Sequence, residues 1–186
     1  MKNFAFLAGL SRRVSLLRRD QRGVSAIEFA MLLPLMVVLY LGCVEVSQAV
    51  AIQRKVTLTA RTIADLASQV TTINNTDMTN MLSAAASVVA PFSSSEVKVT
   101  VTAVSVDAKG VAKVTWSDTL NGTKHAEGTV VTLPAALNVA NSNVIWSEVR
   151  YDYVPTIGYV LTGTVNLFDQ IYMRLRLADS VTRTNS

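Results

Sequence analysis

The stretch RGVSAIEFAMLLPLMVVLYLGCV, residues 22–44, decides how the rest of the chain must be organised. From Val24 to Val44 it runs for 21 residues with Glu28 as its only charged side chain. At about 1.5 Å per residue, a helix of that length measures roughly 31 Å, enough to cross a hydrocarbon core of about 30 Å. Lipid offers no partner to backbone N–H and C=O groups, so an isolated span must be helical. Pro34 falls inside the run and removes one donor, which predicts a kink or a loosened turn near residues 30–34. Membrane lipid is therefore the first partner the sequence implies.

Upstream, residues 1–23 carry Lys2, Arg12, Arg13, Arg18, Arg19 and Arg22 against Asp20 alone. The remaining residues balance 11 basic against 12 acidic side chains. A nucleic-acid reader carries its basic residues over its folded part, so this distribution argues against a nucleic-acid partner. It argues instead for orientation, with residues 1–22 in the cytoplasm and the C-terminal domain across the membrane. A secretory signal is a poor match, because such signals use a shorter apolar run followed by a small-x-small cleavage site. Cys43 is the sole cysteine, so no internal disulfide exists, and it reads as a small lipid-facing or helix-packing residue.

The boundary between charge and apolar run has its own chemistry. A carboxylate at the depth of Glu28 is costly unless it is interfacial, paired or protonated. Cutting the bond after Gly23 would create an α-ammonium on Val24 and make Glu28 the fifth residue of the new chain. Within one helix these groups lie about a turn apart; between staggered neighbours they can pair and favour one axial register. Glycine suits the position before a cut because it has no Cβ to hold a peptidase away from the backbone.

Gly23 with Glu28, followed by Phe29-Ala30-Met31-Leu32-Leu33-Pro34 and Leu41-Gly42-Cys43-Val44-Glu45, resembles the TadE family. These are minor pseudopilins of the tight-adherence (Tad, Flp-type) pilus, a type IV-like system. The resemblance implies processing between Gly23 and Val24 by a membrane aspartyl prepilin peptidase. It also implies single-pass anchoring in a bacterial inner membrane and a periplasmic C-terminal domain, with other pilins or pseudopilins and the Tad assembly machinery as partners. On this reading residues 1–23 are a cleaved leader, 24–44 the transmembrane helix, 45–70 its amphipathic continuation and 71–186 a periplasmic α+β domain. The alternative is an unprocessed bitopic anchor carrying a periplasmic scaffold or binding module, in which Glu28 merely snorkels.

Beyond the membrane, Ala49, Ile52, Val56, Ala60, Ile63, Ala67 and Val70 recur at helical spacing and form one apolar stripe. The stripe predicts packing on a globular domain in preference to a coiled-coil seam, with Arg61 and Asp65 paired on another face. After a turn at residues 71–75, Thr76 or Asp77 is expected to cap a second helix ending near Ala90, before Pro91. From Glu96 the period becomes two. Val97, Val99 and Val101 are apolar, then the apolar character passes to Val104 and Val106, which suggests a bulge around residues 102–103. Asp107-Ala108-Lys109-Gly110 marks a hairpin turn into a returning strand at 111–116. Further strands are expected at 129–133, 144–153 and a last one carrying Ile171, Met173, Leu175 and Leu177 on one face. The expected fold class is α+β: a long N-terminal helix packed on a small antiparallel sheet of four or five strands, pilin-like in plan. The TadE-like resemblance extends weakly into this half through Asp107 with Gly110, Trp116-Ser117, Leu133-Pro134-Ala135-Ala136-Leu137 and Tyr172-Met173-Arg174.

Reactive constellations are missing. His125 is the one histidine and reads as a solvated loop residue. A metal centre or a histidine-based triad needs partners the sequence does not offer, and no glycine-rich phosphate loop occurs. Trp116, Trp146, Tyr151, Tyr153 and Tyr159 read as core or neighbour-facing residues. No catalytic, cofactor-binding or metal residues are therefore assigned, and the chain is not expected to be an enzyme.

Overall fold

A computed structural model describes residues 22–155, 158 and 162–184; the basic arm before Arg22, and Tyr159, lie outside the described residues. Helix α1 runs Arg22–Ser68 with Pro34 inside it. The chain divides into two compact units, Met1–Val44 and Glu45–Ser186.

In the first unit, every residue of α1 from Gly23 to Tyr40 is exposed, including Ile27, Phe29, Leu32, Leu35 and Leu39. The mean hydropathy of the most apolar part of α1 reaches 2.2, so the helix is long and apolar enough to cross a membrane. Water would not tolerate so much contiguous apolar surface on an isolated protein.

In the second unit α1 turns its stripe inward: Ile52, Val56, Ala60, Ile63 and Ala67 are all 1% exposed or less. The stripe therefore packs on the domain, as its spacing indicates. Among the described residues, five strands form one antiparallel sheet in the order β4-β3-β2-β5-β6. They are β2 (Val97–Val106), β3 (Ala112–Leu120), β4 (Val130–Val131), β5 (Ser142–Tyr153) and β6 (Val165–Arg174). Val97, Val99 and Val101 from β2, with Ile145, Val149, Tyr151 and Tyr153 from β5, meet the helix stripe in one core. Small residues at Ala60 and Ala64 let the helix lie close, and the Ser147 hydroxyl at the centre of β5 donates to the Ala60 carbonyl at 2.6 Å. That bond satisfies a buried hydroxyl and fixes where the helix crosses the sheet.

Several sequence expectations need correction. The β2–β5 register is unbroken from Val97 against Tyr151 to Val106 against Ser142, so β2 carries no bulge at 102–103. Val104 and Val106 keep the phase of Lys98 and Thr100 and simply face the other side, where Ala112, Leu133 and Val144 cover them in a second small core. The irregularity belongs to the β2–β3 pair: Ala103 faces Trp116 and Val104 faces Val114, which leaves Thr115 as the extra residue on β3. Helix α2 (Asn75–Ser87) is capped by Asn74, not Thr76 or Asp77. Asp77 is the reciprocal member of a capping box, and the helix stops before Ala90. The turn at residues 71–75 contains strand β1 (Thr72–Ile73), which pairs in parallel with β7 (Thr182–Arg183), a two-stranded sheet the sequence did not announce. Asp65 takes Arg176 at 2.7 Å and the Gln69 amide, in place of Arg61. Leu177 lies past the end of β6 and is exposed, whereas Ile171, Met173 and Leu175 do pack on the core.

Candidate functional site

Gly23, Val24, Glu28 and Pro34 all lie on the exposed part of α1. The bond between Gly23 and Val24 is in the first described turn of that helix, not in an extended segment. A helical bond must unwind before any peptidase can read it, and glycine, about 1 kcal/mol poorer than alanine in a helix, weakens the turn at this position. A Cβ built on Gly23 would meet nothing within 4 Å. The fold therefore makes no steric demand for glycine here, and any such demand comes from another molecule. Val24 and Glu28 are four residues apart and so share a helix face, about 6 Å apart along the axis. Among the described residues, no cation lies within ion-pair distance of Glu28. Neighbouring Ile27, Phe29 and Met31 are each more than half exposed, so the carboxylate sits in an apolar setting open to outside partners.

On the sheet face turned away from α1 the structure assembles groups that sequence reasoning missed. His125 is no free loop residue. Its Nε2 lies 2.5 Å from Glu148 Oε2, and its ring stacks on Trp146 with centroids 4.5 Å apart. Trp146 in turn stacks on Tyr172 at 5.8 Å. Trp116 behaves as a core residue, and its indole N–H donates to the Val181 carbonyl at 2.8 Å. Asp118 is held by Arg183 and Lys124, both at 2.7 Å. Burial pushes the Asp118 carboxyl up, but the hydrogen bonds from Arg183 and Lys124 outweigh it and hold the group below its ordinary value. Near the start of the second unit Glu45 is 1% exposed, and the Tyr153 hydroxyl donates to Gln48 Oε1 at 3.1 Å. Burial, and then the charge of Glu45, push the Tyr153 phenol up. Alternation along β5 places Trp146, Glu148, Arg150 and Asp152 on one face, which is legible once the strand is recognised. The reach of His125 to that face is not.

Comparison with known proteins adds one finding. Residues 23–65 match the family model described as TadE-like protein. No curated protein and no solved structure matches the chain. The matched segment begins at Gly23 and ends within the buried stripe, so it contains Val24, Glu28 and Pro34 together with Glu45.

Proposed function

We propose, on the premise that residues 23–65 are a TadE-like segment, that this chain is a minor pseudopilin of a Tad-type pilus. It is a single-pass protein of a bacterial inner membrane with its C-terminal unit in the periplasm. It acts during pilus assembly or within the fibre, alongside other pilins and the assembly machinery. The observation that carries this reading is the exposed apolar helix bearing one carboxylate, Glu28, five residues past Gly23 inside the matched segment. A prepilin peptidase cuts after Gly23. The new α-ammonium on Val24 then answers the Glu28 carboxylate of a neighbouring subunit as the helices pack side by side. In hydrocarbon that pair is far better than either charge alone, so it selects the axial offset at which the subunits meet. The protein performs no reaction of its own; its work is positional.

Processing and membrane location are tested together. Membranes from cells with and without the peptidase are extracted, and the N-terminus of the protein is sequenced. The reading requires a chain beginning at Val24 that reverts to Met1 when the peptidase is absent. A Met1 start in both strains leaves the unprocessed scaffold as the correct alternative.

A further inference from the structure

On the face turned away from α1, strands β2, β5 and β6 and the 121–125 loop enclose a cleft of about 840 Å³. That volume falls within the roughly 300–1,000 Å³ of ordinary ligand clefts. Most of its charges are already matched: Lys98 meets Asp152 at 2.6 Å, His125 meets Glu148, and Lys124 turns to Asp118. Arg150 differs. Among the described residues no carboxylate lies within ion-pair distance of it, and it is exposed. Its guanidinium carbon stands 4.9 Å from the centroid of the Phe168 ring. A cation–π contact of this kind uses no hydrogen-bond acceptor, and the guanidinium's planar fork of N–H donors matches a carboxylate with two parallel bonds.

The remaining wall is hydroxyl and amide: Thr100, Asn121, Thr123 and Asn166 supply both donors and acceptors. Phe168, 39% exposed, offers an apolar surface beside them. Such a lining suits a ligand rich in hydroxyls with an apolar ring face and a single anionic group. A densely charged polyanion suits it less, because Glu148 and Asp152 also line the cleft and repel closely spaced negative charge. The same two carboxylates accept hydrogen bonds from sugar hydroxyls. We propose that the cleft binds an acidic saccharide, with Arg150 taking the sugar carboxylate and Phe168 flanking the ring. The site is separate from the exposed helix and does not depend on the pilus reading.

The full-length protein in nanodiscs of zwitterionic lipid, free of glycosidic detergent, is titrated calorimetrically with three singly charged probes: a hyaluronan disaccharide, an aldobiouronic acid (one glucuronate linked to one neutral sugar) and sialyllactose. The methyl ester of each probe serves as its neutral counterpart. At least one acidic probe binds, its neutral counterpart binds at least about tenfold more weakly, and Arg150→Gln erases the difference. Lys109→Gln removes an equal charge from the exposed hairpin turn outside the cleft, and it weakens binding by less than about threefold. A thermal melt matching wild type shows that the Arg150 variant is folded. Silence from all three acidic probes at millimolar concentration, equal binding of acid and ester, or undiminished binding by a folded Arg150→Gln protein each overturns the assignment.

Discussion

Glu28 stands among Ile27, Phe29 and Met31 on an exposed part of its helix, and two substitutions isolate what it and Gly23 contribute. Glu28→Gln keeps size and hydrogen-bonding capacity but removes the charge. The variant inserts and is processed like wild type, while sheared-fibre yield falls at least about tenfold for a lost buried charge pair. Normal fibre yield from that strain removes the pairing role. Gly23→Val adds a side chain where the fold has room, so the domain melts as before while the leader stays attached, read as a retained mass on a denaturing gel. Asp118 supplies the pH-dependent counterpart. Its folded carboxyl titrates below the ordinary value, so the Arg183–Asp118–Lys124 cluster stabilises fully above the unfolded value of about 3.9 and is lost as pH falls through the lower folded one. Asp118→Asn destabilises the protein by about 1–3 kcal/mol at pH 7. In urea titrations the gap from wild type narrows below about pH 4; a gap of constant size from pH 7 to 3 contradicts the cluster's role. Glu28 was legible in the sequence because one charge in an apolar run needs no partner to be noticed. His125 was not, because its partners Trp146 and Glu148 lie more than twenty residues away on a strand that only the fold brings near.

Each element was legible to the degree that its own residues set its environment. The stripe of α1 is periodic, and its buried positions come out as the spacing indicates. Ile63→Ala opens a cavity and costs about 2–5 kcal/mol, whereas Leu58→Ala, on the exposed side of the same helix, changes stability by about 0.5 kcal/mol or less. Chemical unfolding followed by the fluorescence of buried Trp116 separates the two, and equal losses mean that the stripe is not the packing face. At α2 the capping oxygen comes from Asn74, one turn earlier than the acidic residue that draws the eye. Asn74→Ala accordingly costs about 1 kcal/mol. In β2 the apolar residues change face without changing phase, since Val104 and Val106 answer Leu133 and Val144, not α1. A pattern of single residues cannot tell a bulge from a strand that is buried on both sides. The pairing of β1 with β7 joins residues more than a hundred positions apart through two short segments, and no local signal marks it.

At the scale of the molecule, the two units answer two solvents. The first carries an apolar helix exposed from Gly23 to Tyr40; the second closes its own core and turns polar side chains outward. Charge follows the same division, with the basic excess confined to the arm before Val24. The fold class and the helix long and apolar enough to cross a membrane could be read from composition and period because each is a property of long, uniform segments. The cleft at Arg150 could not, because it draws on β2, β5, β6 and a loop at once. In the proposed function, scission of the bond after Gly23 turns an anchored chain into a subunit with a new positive end. The most direct test is the intact mass and N-terminal sequence of the protein extracted from membranes that hold an active prepilin peptidase. A mature chain starting at Val24 is the predicted result. A chain that keeps its arginine-rich arm, or one trimmed near residue 45 by a general signal peptidase, contradicts it.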